Sequence, residues 1–240
     1  MTGTALQNNK YLDPAGDRLN AILLLGTLKS KEDEFSHTET LSEFLIENLQ
    51  PYNVQSEIVR LVEYDIKPGV ESDMGEGDDW PAILKKMLAA DIVLFATPIW
   101  WGVQSSIIQR VIERMDALND ELLETGKSEL ANKVGGIVIT GAEDGAQHII
   151  GNIANFMIWN GLTVPPACSI SFLGDYTGKT KQGLLEQFRS QKSTASMART
   201  MARTLVFFAR LLRENNIPQD TSGVSQNVAP GSVGMRGDRA

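Results

Sequence analysis

Residues 92–102 read Ile92-Val93-Leu94-Phe95-Ala96-Thr97-Pro98-Ile99-Trp100-Trp101-Gly102, an apolar run that closes on two indoles and a glycine. Five consecutive apolar residues suit a strand buried on both faces, because a strand with one wet face would alternate apolar with polar residues. Thr97 and Pro98 end the run, and two adjacent indoles and a glycine follow. Residues 19–25 form a second such run, broken only by Asn20 and closed by Gly26, and residues 136–140 form a third. Weaker strands are expected at residues 54–62 and 164–172, the latter entered by Pro165 and Pro166.

Helical patterns fill the gaps. Residues 38–49 place Leu41, Phe44, Leu45 and Leu49 on one face, with Thr38 as the expected N-cap and Pro51 beyond the end. Pro68, Gly69, Gly75 and Gly77 make residues 67–79 a loop. Asp78 and Asp79 are candidate caps for a helix with Pro81 in its first turn, reaching about residue 90. Ser105 and Ser106 open one helix whose apolar positions, Ile108, Val111, Ile112, Met115, Leu118 and Leu122, repeat at close to 3.6 residues. Another covers residues 147–160 and ends at Gly161. A long one covers 193–215, with Arg199, Arg203, Arg210 and Arg213 expected on its solvent side. Strands alternating with helices at this spacing imply parallel βαβ units with right-handed crossovers. The expected fold is a doubly wound α/β domain over residues 18–216, with a five-stranded parallel sheet and helices on both faces. Residues 1–17 are expected as a polar N-terminal extension, and residues 217–240 as a disordered tail.

Composition narrows the function. Thirty acidic against 22 basic residues, a net charge of −8, argue against a partner that is nucleic acid or an anionic membrane. One cysteine excludes an intramolecular disulfide and an all-thiolate zinc or iron–sulfur site, and two histidines make a His-rich metal site improbable. The longest apolar runs fall far short of the roughly 20 residues of a membrane helix. The polar first seventeen residues lack the apolar core of a secretory signal. A cytoplasmic protein with no metal is expected.

In doubly wound sheets, ligands bind at the carboxyl ends of strands, where the strand order reverses. Three segments lie there. Thr27, Lys29, Ser36, His37 and Thr38 join the first strand to a helix N-terminus, where free amides and hydroxyls can cradle a phosphate. Neither a Walker A motif nor a G-x-G-x-x-G fingerprint is present, and a capped hydrophilic loop would also explain the segment. Pro98, Ile99, Trp100, Trp101 and Gly102 could cover a planar, partly apolar ligand, or a subunit interface could cover them. Thr140, Gly141, Asp144 and Gly145 suit either backbone contact with a ligand or a plain turn, with Glu143 and Asp144 as a solvated or capping pair. Cys168 is expected to be a buried structural thiol, and His148 to lie at the surface.

The block Thr97-Pro98-Ile99-Trp100-Trp101-Gly102, followed by Ser105 and a helix, resembles the flavin-ring loop of the NADPH-dependent FMN reductase family, in the flavodoxin-like superfamily. Gly26-Thr27-Leu28-Lys29 leading to Ser36-His37-Thr38-Glu39 resembles that family's phosphate loop, here longer and more acidic. Gly141 to Gly145 is similar to its other flavin-contacting loop. The resemblance spans roughly residues 18–172. It implies the flavodoxin strand order 2-1-3-4-5, with FMN at the switch point between strands 1 and 3. It also implies FMN as cofactor, NAD(P)H as co-substrate, a small-molecule electron acceptor such as a quinone or free flavin, and a homodimer or homotetramer. The related iron–sulfur flavoproteins carry a cysteine cluster where this sequence has Ile66-Lys67-Pro68-Gly69-Val70-Glu71-Ser72-Asp73, so no cluster is expected. The competing reading is a flavodoxin-like electron carrier or regulatory flavoprotein without fast NAD(P)H turnover.

Overall fold

The computed structural model describes residues 9–32, 35–142 and 144–219, so Glu143 lies outside them. Of the tail expected over residues 217–240, only 217–219 fall within them, and these are held rather than loose: the Ile217 N–H donates to Asn132 and the Gln219 side chain accepts the Ser128 N–H. Strands β1 (Leu19–Leu25), β2 (Val54–Arg60), β3 (Ile92–Trp100), β5 (Val134–Gly141) and β6 (Ser169–Leu173) form one parallel sheet in the order β2-β1-β3-β5-β6. A two-residue strand, β4 (Val103–Gln104), folds back antiparallel on the end of β3. Leaving β4 aside, the order is the expected 2-1-3-4-5.

The three continuous apolar runs are buried as read. In β1, Leu19, Ala21, Leu23 and Leu25 face one layer while Ile22 and Leu24 face the other; in β3, Ile92, Leu94 and Ala96 oppose Val93 and Phe95. Helices α1 (His37–Leu49), α6 (Lys181–Ser190) and α7 (Lys192–Glu214) cover the first layer, and α2 (Trp80–Ala89), α3 (Ser106–Arg114), α4 (Asp116–Thr125) and α5 (Ala146–Trp159) cover the second.

Several expectations need correction. The helix after Ser105 is two helices, because Met115 (φ −86°, ψ 0°) leaves helical geometry and shares its N–H between the Val111 and Ile112 carbonyls. The fifth strand starts only at Ser169. Pro165 and Pro166 have no N–H for a ladder, and Ala167 is left-handed at φ 55°. Helix α6 was not foreseen, since its amphipathic signal rests on Leu184, Leu185 and Phe188 and is weakened by Gly183.

Arg210 does not face solvent. It is buried, and its guanidinium donates to the carbonyls of Tyr11, Asp13, Asp17 and Tyr52. Part of the N-terminal extension is therefore packed: residues Lys10–Leu12 form a 3₁₀ turn, and the Tyr11 ring meets Phe207 edge-on at 5.2 Å. Arg213 instead pairs with Asp91 at the surface.

On the other layer, the cysteine-free loop before α2 is held by Arg114 and Asp78, whose side chains are both fully buried. Arg114 donates to both Asp78 carboxylate oxygens and to the carbonyls of Lys67 and Glu71. Asp79 is the N-cap position of α2 but its carboxylate makes no capping bond and accepts the Asp65 N–H in the loop instead, while Asp78 accepts the Trp80 N–H.

Candidate functional site

The carboxyl ends of β1, β3 and β5 open onto a cleft of about 340 Å³. The end of β1 comes close to the start of α3 because residue 26 is glycine: a Cβ there would lie 2.4 Å from Ile108 Cγ1 and 2.6 Å from Ser105 Oγ. Thr97 ties the same corner together, accepting the Ser105 N–H at 2.9 Å while its hydroxyl donates to the Pro98 carbonyl at 2.8 Å. The loop leaving β3 is thus anchored to a helix start and held in place beside the cleft.

One end of the cleft is polar. Ser36, not Thr38, is the N-cap of α1: its Oγ accepts the Glu39 N–H, in a Ser-x-x-Glu spacing typical of helix starts. The Glu39 carboxylate does not fold back to the cap but pairs with Arg60, which is buried and also donates to the carbonyls of Lys29 and Ser30. This pair neutralises an acid beside the helix start and pins the loop that carries Lys29. Thr38 Oγ1 lies 2.6 Å from Thr140 Oγ1 across the cleft floor. Their mutual hydrogen bond uses one of two hydroxyl protons, and the other can be donated to a ligand. The Ser36 hydroxyl keeps its proton for the same purpose. Hydroxyl protons, first-turn amides and the Lys29 ammonium together make a donor set suited to a phosphate.

The other end is apolar and is built by a hairpin. Ile99 pairs with Gln104 and Trp100 with Val103, leaving Trp101-Gly102 as a two-residue turn with φ of 51° and 78°. Two consecutive left-handed residues are the mark of a type I′ turn, where Asn-Gly is favoured. Trp101 sits where a bulky residue is disfavoured, and it is 95 % exposed. Replacing it by Asn is expected to stabilise the protein by about 1 kcal/mol, the order of the left-handed penalty for an L-residue. Urea unfolding of the two proteins measures the difference. The hairpin tip rests on the start of α5. A Cβ on Gly145 (φ 126°) would lie 2.6 Å from Gly102 Cα, so glycine is required there for contact.

Ten of the fourteen residues singled out in the sequence line the cleft: Thr27, Lys29, Ser36, His37, Thr38, Pro98, Ile99, Trp100, Thr140 and Gly141. Trp101 lines an adjoining cavity of about 280 Å³ with Ile99, Trp100 and Ala142. Gly102, Asp144 and Gly145 do not line the cleft; Gly102 and Gly145 meet behind the hairpin, and the Asp144 carboxylate accepts the Gly145 N–H. Leu28, Ala142 and Tyr176 line it and were missed. Tyr176 follows β6, one strand farther along the sheet than the three loops, where the general rule of ligands at strand ends also applies. Its ring stacks on His37 at 4.0 Å and 17°, and its hydroxyl donates to the Phe172 carbonyl. Burial pushes its phenol up to about 12, so it stays neutral. His148 is exposed, as expected. Cys168 is buried, and burial raises its thiol pKa, which keeps it from acting as a thiolate nucleophile.

The model of the NADPH-dependent FMN reductase family matches residues 20–175, which include all three cleft segments. The chain belongs to this family. FMN is the family's cofactor and NAD(P)H its electron donor, and the donor set of the cleft fits FMN: a phosphate end, an apolar end, and nothing resembling a dinucleotide glycine motif. The reductase-family chain is 37% identical over 179 residues to the divalent metal cation transporter MntH of Mycobacterium bovis, covering 73% of this chain but spanning only 26% of that protein. It is 27% identical over 214 residues to 8-demethyl-8-aminoriboflavin-5'-phosphate synthase of Streptomyces davaonensis, covering 85% of this chain and 82% of the synthase. A crystal structure of RosB with bound 8-demethyl-8-formylriboflavin-5'-phosphate superposes with a TM-score of 0.74 at 27% identity, covering 92% of this chain and 96% of that one. Among the described residues of this family member, no helix is long and apolar enough to cross a membrane.

Proposed function

We propose that this chain is an NAD(P)H-dependent FMN oxidoreductase that passes electrons to a small acceptor such as a quinone or free flavin. The observation that carries the reading is a single cleft with a phosphate-type donor set at one end and the Pro98–Trp100 wall at the other. In this reading Ser36, Thr38, Thr140 and Lys29 hold the phosphate, and Pro98, Ile99, Trp100 and Gly141 shape the ring site. When bound, FMN supplies the hydride and electron chemistry, so no protein acid or base is required for that step. The chain's own residues bind, orient and keep water away from one side. The purified protein is expected to take up about one FMN and little FAD, and then to oxidise NADH or NADPH rapidly with a quinone. A protein that stays colourless and takes up no added FMN would sink the reading.

The electron-carrier reading is disfavoured by the hairpin. A carrier of this fold needs a mobile peptide that can reorient beside the flavin, whereas here Ile99 and Trp100 are locked in a ladder with β4. Reductive titration should therefore pass without a large long-wavelength absorbance at half reduction.

A second reading has its own support. The likeness to the synthase extends over most of both chains, and the RosB structure holds a riboflavin phosphate derivative. A flavin phosphate would then be substrate, and mass spectrometry of flavin recovered after incubation would reveal a changed ring. A single cysteine, which allows no intramolecular disulfide, supports a cytoplasmic place for either activity. A homodimer or homotetramer would cover the exposed Ile158 and Trp159 at the end of α5.

A further inference from the structure

We propose that the groove between α1 and α7 is a second ligand site, separate from the cleft, where Arg199 and Arg203 hold a soluble phosphate monoester with a small organic body. The proposal does not depend on what fills the cleft.

Helix α1 starts at the cleft, and Glu47 lies roughly 15 Å farther along its axis, at about 1.5 Å per residue. There the end of α1 and the first half of α7 enclose a cavity of about 330 Å³. Arg199 and Arg203 line it from α7, one helical turn apart. Elsewhere Arg60, Arg114, Arg189 and Arg213 pair with carboxylates, and Arg110 and Arg210 donate to backbone carbonyls. Arg199 and Arg203 have neither kind of partner among the described residues, in a chain whose net charge of −8 leaves carboxylates in excess. Like charges at this helical spacing repel, and Arg203 is half-buried, so an anion between them relieves a cost as well as adding bonds.

Further donors converge on the same space. The Ser196 and Thr200 hydroxyls make no hydrogen bond among the described residues. Asn48 spends one amide proton on the Phe44 carbonyl and keeps the other. The carboxylate in the lining, Glu47, is neutralised by two hydrogen bonds from Arg189. Behind the lining, Arg210 donates to the Tyr52 carbonyl and adds a third guanidinium charge. Two guanidinium forks with hydroxyls beside them match the several oxygens and double charge of a phosphate monoester. Pro51 and Tyr52 supply apolar surface for the organic body that carries it. The acidic chain as a whole disfavours an anionic lipid surface as the source of the phosphate.

The test titrates FMN-loaded protein, freed of excess FMN, with adenosine 5'-monophosphate, adenosine and inorganic phosphate in a calorimeter. The monophosphate is expected to bind at about one per chain and adenosine at least about tenfold more weakly, since adenosine lacks the group the guanidiniums hold. Arg199→Gln with Arg203→Gln should weaken the monophosphate at least about tenfold while FMN affinity and the unfolding midpoint stay unchanged. Arg203→Lys, which keeps the charge but not the fork, should fall between the two. Equal monophosphate affinity in the wild type and the double variant would overturn the proposal, and so would a loss shared equally by monophosphate and adenosine. A wild type that binds neither adenosine monophosphate nor inorganic phosphate overturns it too, including one that sediments with phosphatidic acid vesicles, which would assign the arginines to a lipid surface. A chain that takes up no FMN yet binds the monophosphate through these arginines would leave this site standing and sink the FMN reading instead.

Discussion

Replacing Asp78 with Asn is expected to destabilise the fold by about 3 kcal/mol, the lower end of the cost of breaking a buried ion pair from one side. Arg114 and Asp78 are fully buried, and the guanidinium spends its remaining donors on the Lys67 and Glu71 carbonyls. Asparagine keeps one accepting oxygen but leaves the guanidinium charge uncompensated in the interior. In a chain of this size the loss corresponds to roughly 6–12 °C in Tm.

The pH dependence provides a signature that a simple packing defect would lack. The Arg114 guanidinium holds the Asp78 carboxyl well below the usual carboxylate range, helped by the Met74, Trp80 and Lys67 N–H groups and opposed by burial. A carboxylate with a depressed folded pKa stabilises the fold fully above its unfolded value, about 4, and loses that contribution as pH falls toward the folded value. The stability gap between wild type and Asp78→Asn should therefore be constant near neutrality and narrow below about pH 4. Urea unfolding from pH 7 to pH 3 measures it.

The largest functional effect is expected from removing the phosphate hydroxyls. Hydrogen bonds to a charged group contribute about 1.5–3 kcal/mol each. Ser36→Ala with Thr38→Ala deletes two hydroxyls of the donor set, while the α1 amides, Thr140 and Lys29 remain to compensate in part. FMN affinity should fall at least about tenfold and riboflavin affinity hardly at all. The Thr38–Thr140 hydrogen bond adds a refinement. With Thr38 replaced, the Thr140 hydroxyl is released and can turn to the ligand, so Thr38→Ala alone should lose less affinity than the full worth of one such bond. Ser36→Ala also removes the α1 cap, about 1 kcal/mol of stability, which circular dichroism would register separately from binding. An equal loss of affinity for FMN and riboflavin would place the phosphate elsewhere.

The sheet was legible because β1, β3 and β5 are buried on both faces, which leaves an unbroken apolar run that no other local structure explains as well. Periodicity was less reliable where a few residues override it. The helix after Ser105 breaks at Met115 although its apolar spacing continues to Leu122, and Arg114 just before the break is drawn into the interior by Asp78, a partner 36 residues earlier. Arg210 looks like one more cation on an amphipathic helix, and only the tertiary fold brings four carbonyls around it.

The site followed the same division. Residues on strand ends and at the α1 start were found, since the rule for doubly wound sheets fixes where ligands sit. The cap was misassigned by two positions, although Ser36 and Glu39 carry the spacing that identifies it. Tyr176 was missed because its place over His37 depends on how the chain turns after β6. The adjacent tryptophans were noticed as costly, but their separation into a cleft wall and a turn tip depends on the hairpin register that β4 imposes.

On the proposed reading, the cleft holds FMN for reduction by a nicotinamide nucleotide. FMN-loaded protein mixed anaerobically with NADPH, and separately with NADH, tests it in a single half-reaction. At least one nucleotide should bleach the flavin absorbance near 450 nm (roughly the usual oxidised flavin band) by two electrons per flavin, and a quinone added afterwards should restore it. Flavin that binds with the expected stoichiometry yet stays oxidised under both nucleotides would contradict the account.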